Sequence, residues 1–132
     1  MKKKLSAVAA LICQNKKILL IQRARNPWKE MWATPGGKPY KNEAPQQTVV
    51  REICEELGVK FQPLKEVGNY HYEDEKYTGD TIVFEGTIEG EIKIKQDEIL
   101  QYKWVKPEEA LTLQLASTNR QRILDFIVRN KP

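Results

Sequence analysis

The sequence predicts an α+β sandwich formed by a single domain that spans residues 1–132. A length of 132 residues suits one compact domain with its own core and leaves no room for a second. Hydrophobic residues make up 40% of the chain and charged residues 30%, as in an ordinary globular protein. Predicted strands and helices mix without strict βαβ alternation, so we do not expect a doubly wound sheet.

Two apolar runs begin the chain. Leu5–Cys13 and Lys17–Arg23 are predicted strands, and the polar residues 14–16 between them predict a β-hairpin. The run after Lys2–Lys4 is too short, and charge resumes too soon, for a secretory signal, so the lysines are interpreted as a solvated tail. No segment has the apolar length of a membrane span, and we expect a cytoplasmic protein.

A loop and a helix follow the hairpin. Ala24–Tyr40 is rich in proline and glycine and is predicted to be a long loop. Residues 44–57 form the clearest predicted helix, with Pro45 in its first turn and Gly58 at its end. At 100° per residue, the apolar residues of this helix occupy one arc and three glutamates another. The apolar positions are Val49, Val50, Ile53, Cys54 and Leu57, and the glutamates are Glu52, Glu55 and Glu56.

The second half of the chain is richer in strands. Strands are predicted at Val59–Tyr72, Tyr77–Glu89 and Ile99–Val105, with a short helix at Pro107–Leu111. Asn119–Arg129 has the pattern of an amphipathic helix, which closes the predicted domain.

Charge and cysteine content exclude some functions. The net charge is +4 and the basic residues are not gathered into a stripe, so a nucleic-acid partner is not expected. Cys13 and Cys54 lie in apolar contexts without CxxC spacing, which favours small buried side chains over a disulfide or a metal pair.

The glutamate face of the central helix indicates metal chemistry. Carboxylates clustered within one helical turn repel one another, and a hard cation such as Mg²⁺ relieves that repulsion. A glycine-rich loop directly upstream allows a close approach of the backbone to a metal and to phosphates. The alternative is that these glutamates form an ordinary solvated face.

The spacing of these residues resembles the Nudix box. Gly37 is followed after five residues by Glu43, and after seven more by a segment that runs from Arg51 to Val59. The resemblance implies an α/β/α sandwich, in which a mixed sheet lies between helices. It also implies hydrolysis of a nucleoside diphosphate linked to another group, with Mg²⁺ or Mn²⁺ as cofactor.

The same resemblance assigns roles to particular residues. The expected metal ligands are the Gly37 carbonyl and the carboxylates of Glu52, Glu55, Glu56 and Glu98. Arg51 is expected to orient a glutamate through a charge-assisted contact. Glu52 is the favoured general base, with Glu98 as its competitor, although Glu98 could equally be an exposed loop residue.

Four further residues are candidates for substrate binding. Arg23, Arg25 and Lys38 lie near the glycine-rich loop, where they could contact phosphate. Asn119 is interpreted first as the N-cap of the last helix and second as a residue that contacts a base.

The preferred function is hydrolysis of a nucleoside triphosphate, unmodified or oxidised, to a mononucleotide. The alternative is hydrolysis of dinucleoside polyphosphates or nucleotide sugars. Tyr77 lies 18 residues past Val59, and the resemblance implies that a tyrosine at this distance indicates dinucleoside polyphosphates. A Nudix module that only binds a nucleotide is a third hypothesis, which the complete set of box glutamates disfavours. We expect a small-molecule nucleotide substrate and a monomer or a homodimer.

Overall fold

The computed structural model describes residues 1–132, which form eight strands and three helices. The strands are β1 (Lys3–Lys4), β2 (Ala7–Gln14), β3 (Lys17–Arg23), β4 (Trp32–Ala33), β5 (Gly36–Gly37), β6 (Lys60–Glu73), β7 (Tyr77–Glu89) and β8 (Ile99–Val105). The helices are α1 (Pro45–Leu57), α2 (Pro107–Ala110) and α3 (Asn119–Arg129). None of the three combines the length and the hydrophobicity that a membrane crossing requires.

The sheet is mixed, as the sequence predicts. Strand β2 runs parallel to β7 and antiparallel to β3 and β5. Strand β7 also pairs antiparallel with β6, and β3 pairs antiparallel with β4 and β8. This arrangement places the glycine pair of β5 directly beside Val8 and Ala9 of β2.

Each face of the sheet is covered by helices. Side chains of β2 alternate, because successive residues of a strand point to opposite faces. Val8, Ala10 and Ile12 enter a core cluster that includes the apolar residues of α1. Ala9 and Leu11 enter a second cluster that includes the apolar residues of α2 and α3. The result is an α/β/α sandwich, which confirms the expected fold.

Local sequence explains the turns that frame the site. Asn15 and Lys16 have φ of 52° and 64°, the left-handed pair that a two-residue hairpin turn needs. Helix α1 begins at Pro45, where a missing N–H has no cost, and ends at Gly58 with φ of 66°. The Gln47 side chain accepts a hydrogen bond of 3.0 Å from the Ala44 N–H and so caps the first turn.

Three predictions about local structure were wrong. Lys2–Lys4 are exposed as predicted, but Lys3 and Lys4 are not a free tail, because they form β1 and pair with β7. The long loop contains β4 and β5, because short extended segments between prolines and glycines still find sheet partners. Cys54 is exposed and Cys13 is only partly buried. Cys54 lies at the edge of the apolar arc of α1, so packing against the sheet leaves it outside the core.

Candidate active site

A cleft of about 490 Å³ collects most of the residues that the sequence singles out. Its walls come from the end of β3, the β5 segment, α1, the residues before β8 and the start of α3. The predicted site residues that line it are Arg23, Arg25, Gly37, Lys38, Glu52, Glu56, Glu98 and Asn119. Two others, Arg51 and Glu55, do not line the cleft.

Arg51 joins the glycine-rich loop to helix α1. Its Nε donates to Glu43 Oε2 at 2.7 Å, and its Nη1 donates to Glu52 Oε1 at 2.8 Å. Its Nη2 donates to the Lys38 carbonyl at 2.9 Å, and the guanidinium carbon lies 3.6 Å from the centre of the Tyr40 ring. These contacts raise the pKa of Arg51, chiefly through the hydrogen bond to Glu43. The contact between Arg51 and a glutamate of the helix is therefore present, and it fixes one oxygen of Glu52.

Glu43 supports the start of the helix. Its carboxylate accepts hydrogen bonds from the Tyr40 N–H at 3.0 Å and from the Thr48 hydroxyl at 2.8 Å, in addition to Arg51. The hydrogen bond from Arg51 is the main cause that lowers the pKa of Glu43 to about 2. Glu43 is thus a structural anion that holds the loop against α1.

Gly37 and Glu52 are in direct contact. A Cβ atom built on Gly37 would lie 2.2 Å from the Glu52 Cδ and 2.2 Å from its Oε2, so any side chain here would displace the Glu52 carboxylate. Glycine therefore lets the backbone of β5 lie against the second oxygen of Glu52, while Arg51 holds the first. Burial raises the pKa of Glu52, despite the hydrogen bond from Arg51.

Three carboxylates share the floor of the cleft. Glu56 has its pKa raised to about 8, mainly by desolvation and further by the charges of Glu52 and Glu98. Arg23 opposes this rise, and burial lowers the pKa of Arg23 itself. Like charges gathered in a partly dry site are stabilised by a cation, which is the electrostatic requirement of a divalent metal site.

Glu98 is held by basic residues from two sides. Its Oε1 lies 3.4 Å from Arg25 Nη1 and 3.6 Å from Lys95 Nζ. Arg25 also binds the side chain of Asp97 at 2.8 Å and its carbonyl at 3.0 Å. In this structure Arg25 positions the acidic residues before β8, and its guanidinium borders the cleft.

Glu55 stands apart from the other two box glutamates. Its side chain is 44% exposed and its carboxylate lies 3.2 Å from Arg51 Nη1. No group of three or more His, Cys, Asp or Glu side chains forms a preassembled metal site. The carboxylates that do line the cleft are Glu52, Glu56 and Glu98, and oxygen donors of this kind beside a glycine backbone fit a hard divalent cation.

Asn119 is not an N-cap, contrary to the first interpretation. Thr118 occupies the cap position of α3, and the Asn119 side chain is 2% exposed. The Asn119 Oδ1 accepts hydrogen bonds from the Thr34 N–H at 2.8 Å and from the Thr34 hydroxyl at 2.9 Å. The side chain therefore ties α3 to the segment before β5, because a buried amide must find polar partners.

Sequence reasoning missed Arg122, which also lines the cleft. Arg122 is 4% exposed, and its Nη1 donates to the Thr34 hydroxyl at 3.0 Å. A signal for it was available, because Arg122 lies between Asn119 and Phe126 on the inward face of α3 at helical spacing.

Aromatic residues form another wall of the cleft. Trp28 contacts Tyr72 edge to face, with ring centres 5.0 Å apart, and both residues line the cleft. Tyr77 lies 6.2 Å from Trp28 but is outside the lining. The contact anchors the long loop on the sheet and leaves an aromatic surface beside the polar groups.

Comparison with known proteins gives a consistent result. The family model of the NUDIX domain matches residues 3–126. The chain is 33% identical over 124 residues to a CTP pyrophosphohydrolase of Escherichia coli, covering 86% of this chain and 84% of that protein. It is 39% identical over 94 residues to an ADP-ribose pyrophosphatase of Methanocaldococcus jannaschii, covering 69% of this chain and 56% of that protein.

Solved structures agree with the fold. A MutT protein from Methanosarcina mazei Go1 superimposes with a TM-score of 0.84 at 29% identity, covering 99% of this chain and 98% of that chain. The likeness therefore includes the sheet, the helices on both faces and the segment that carries the cleft.

Proposed function

Because this chain belongs to the Nudix family and is a pyrophosphohydrolase, we propose that it hydrolyses a nucleoside triphosphate to a mononucleotide and pyrophosphate. One observation carries the proposal. Glu52, Glu56 and Glu98 line a single cleft with Gly37 and Arg23. Such a cleft offers oxygen ligands for a cation and a guanidinium for phosphate, and its volume of about 490 Å³ is within the usual range of ligand pockets.

Nudix hydrolases generally need a divalent metal, and we propose Mg²⁺, with Mn²⁺ as a substitute. The residues that would hold it are Glu52, Glu56 and Glu98 together with the Gly37 carbonyl. Glu55, also assigned by the box, would join them from its exposed position on the next face of α1. When bound, the metal ion supplies polarisation of a phosphate oxygen and a lower pKa for a water molecule.

Glu52 is the proposed general base, with Glu98 as the alternative. Burial raises the pKa of Glu52, which makes its carboxylate a stronger base. Arg51 and Gly37 hold its carboxylate from two sides and so fix its direction. Water then adds to one phosphorus and its proton passes to the carboxylate. The bond from that phosphorus to the bridging oxygen breaks, which separates pyrophosphate from the nucleoside monophosphate.

The basic residues are proposed to position the phosphates. Arg23 is partly buried, lies near Glu56 and Glu98, and donates through Nε to the Pro27 carbonyl at 2.8 Å. Its Nη groups make no hydrogen bond within the protein and are free for a phosphate. Lys38 is exposed beside Gly37, where its ammonium can reach the outer phosphates, and Arg25 would contribute from the opposite side.

A second substrate class is favoured by the aromatic wall of the cleft. Trp28 and Tyr72 present ring surface on which a second base or a sugar could stack, as dinucleoside polyphosphates and nucleotide sugars would require. Of the relatives named above, one is a CTP pyrophosphohydrolase and the other an ADP-ribose pyrophosphatase, so one is named for a nucleoside triphosphate and the other for a nucleotide linked to a sugar.

A substrate panel tests the proposal. The purified protein is incubated with Mg²⁺ and nucleoside triphosphates, 8-oxo-dGTP, ADP-ribose or a dinucleoside tetraphosphate, and the products are separated. We expect the fastest turnover with a nucleoside triphosphate, and a loss of about 10²–10⁴-fold in Glu52→Gln. Glu109→Gln, on the exposed side of α2, is the matched control. Faster turnover of ADP-ribose or of the dinucleotide would contradict the assigned substrate class.

A further inference from the structure

Arg122 carries a buried charge that the protein leaves without an acidic partner. The residue is 4% exposed, and its hydrogen-bond partners are neutral. The Nε donates to the Thr118 hydroxyl at 2.9 Å, and the Nη1 donates to the Thr34 hydroxyl at 3.0 Å and to Asn119 Oδ1 at 3.3 Å. Burial lowers the pKa of Arg122 to about 10, which reflects the cost of this placement.

The remaining donors of Arg122 face the cleft. Its Nη2 makes no hydrogen bond to the protein, whereas every fully buried side-chain nitrogen or oxygen has a partner. The Nη2 group is therefore not fully enclosed, and the cleft is the space that Arg122 borders. Two N–H donors of a guanidinium thus remain free at this wall.

Asn119 adds a donor and no acceptor. Its Oδ1 receives the Thr34 N–H, the Thr34 hydroxyl and Arg122 Nη1, so its lone pairs are used. Its Nδ2 donates to the Ala116 carbonyl at 2.7 Å, which leaves one N–H. The orientation of the amide is unambiguous, because each end bonds a backbone group of fixed character. The Thr34 hydroxyl proton is also used, so the groups that Arg122 and Asn119 leave free are all donors.

The free donors of Arg122 and Asn119 favour a ligand edge made of acceptors. We propose that Arg122, with Asn119, binds a nucleobase edge in which a carbonyl oxygen adjoins an unprotonated ring nitrogen, as in guanine or cytosine. A guanidinium is suited to the paired O6 and N7 acceptors of guanine, and the O2 and N3 of cytosine form a similar pair. Adenine has an amino donor beside N7 and beside N1, so the same wall disfavours it.

The position of this wall suits a base. Thr34 is three residues from Gly37, so their Cα atoms are at most roughly 11 Å apart, and the carboxylates lie beside Gly37. Arg23 already serves the phosphate end of the cleft, whereas the neighbours of Arg122 are hydroxyls and an amide. The inference rests on the proposed function, since it names the base of the nucleotide that the carboxylate end would cleave.

Steady-state kinetics with four nucleotides test the inference. kcat/KM is measured with Mg²⁺ for CTP, GTP, UTP and ATP in the wild type, Arg122→Met, Arg122→Lys and Arg120→Met. We expect the wild type to prefer CTP or GTP over ATP by about 10-fold or more. Arg122→Met lowers kcat/KM for CTP and GTP more than for ATP and so removes that preference. Arg120→Met, an exposed change on the same helix, retains it.

The Arg122→Lys variant distinguishes a nucleobase from an anion as the ligand of Arg122. Lysine keeps the charge but loses the paired donors, so a base site loses its selectivity in this variant, whereas a phosphate site keeps most of its affinity. The variant also provides the test if Arg122→Met does not fold, which circular dichroism and thermal unfolding reveal. An equal loss for all four nucleotides in the Arg122 variants would overturn the inference, as would a wild type that cleaves ATP as fast as CTP and GTP.

Failure of the proposed function gives a different result. A wild type that cleaves none of the four nucleotides contradicts the function, and calorimetry with CMP, GMP and AMP then decides the inference. Tighter binding of CMP or GMP than of AMP upholds it, and equal affinities refute it.

Discussion

Replacement of Glu56 by glutamine should change how the stability of the metal-free protein depends on pH. Burial, with the charges of Glu52 and Glu98, raises the pKa of Glu56 from 4.5 to about 8. Between these values the folded protein holds a proton that the unfolded chain has released, so stability falls as pH rises. The stabilisation is complete below the pKa that Glu56 has in the unfolded chain, and it is lost as pH rises through the pKa that Glu56 has in the folded protein.

The size of the effect follows from the shift. The pKa of Glu56 differs by about 3.5 between the unfolded and the folded protein, which corresponds to a free energy of roughly 5 kcal/mol at 1.36 kcal/mol per pH unit. Partial solvation of the carboxylate reduces this free energy to roughly 3–5 kcal/mol. Glutamine is neutral at every pH and does not carry this penalty. We therefore expect Glu56→Gln to gain roughly 3–5 kcal/mol relative to the wild type between pH 5 and pH 9.

Urea unfolding in the presence of a chelator measures the difference. The free energy of unfolding is determined at pH 5, 6, 7, 8 and 9 for the wild type, Glu56→Gln and Glu55→Gln. Glu55 lies on the same helix with a side chain that is 44% exposed, so its replacement should shift stability by less than about 0.5 kcal/mol at all five pH values. A gap between Glu56→Gln and the wild type that stays constant within about 1 kcal/mol would refute the electrostatic argument.

Three further results are expected. Mg²⁺ should raise the melting temperature more at pH 8 than at pH 6, because ligand carboxylates must lose their protons; an equal rise at both values would count against the proposed ligands. Gly37→Ala should abolish turnover, because its Cβ would overlap Glu52, while circular dichroism shows the fold retained; an active variant would be inconsistent with the described contact. Arg51→Met should destabilise the protein by about 2 kcal/mol or more in urea unfolding, because Glu43 and Glu52 lose a charged donor; a change below about 0.5 kcal/mol would show that the network is dispensable.

The sequence predicted the helix of the site more accurately than its surroundings. Helix α1 carries its own signals, with Pro45 at the start, Gly58 at the end and separate apolar and acidic arcs between them. The same helix also brought Glu52 and Glu56 to the cleft as expected, because residues four apart share a helical face.

Contacts between distant segments could not be predicted in this way. The strand character of Gly36–Gly37 arises from pairing with β2, and the inward direction of Asn119 arises from hydrogen bonds to Thr34, 85 residues earlier. Glu55 belongs to the same predicted acidic arc as Glu52 and Glu56, yet it lies outside the cleft, where its exposed carboxylate pairs with Arg51. The spacing of residues within one helix or strand fixes the direction in which each side chain points. Contacts with other helices and strands decide whether that direction leads into the cleft or into solvent.

The most direct test of the central claim is the identity of the products and their dependence on metal. The protein is incubated with its best nucleoside triphosphate with Mg²⁺ and with excess chelator, and the products are identified by mass spectrometry. The account predicts a nucleoside monophosphate and pyrophosphate in equal amounts with Mg²⁺, and no turnover with chelator. Release of inorganic phosphate and a nucleoside diphosphate, or turnover that persists without metal, would contradict it.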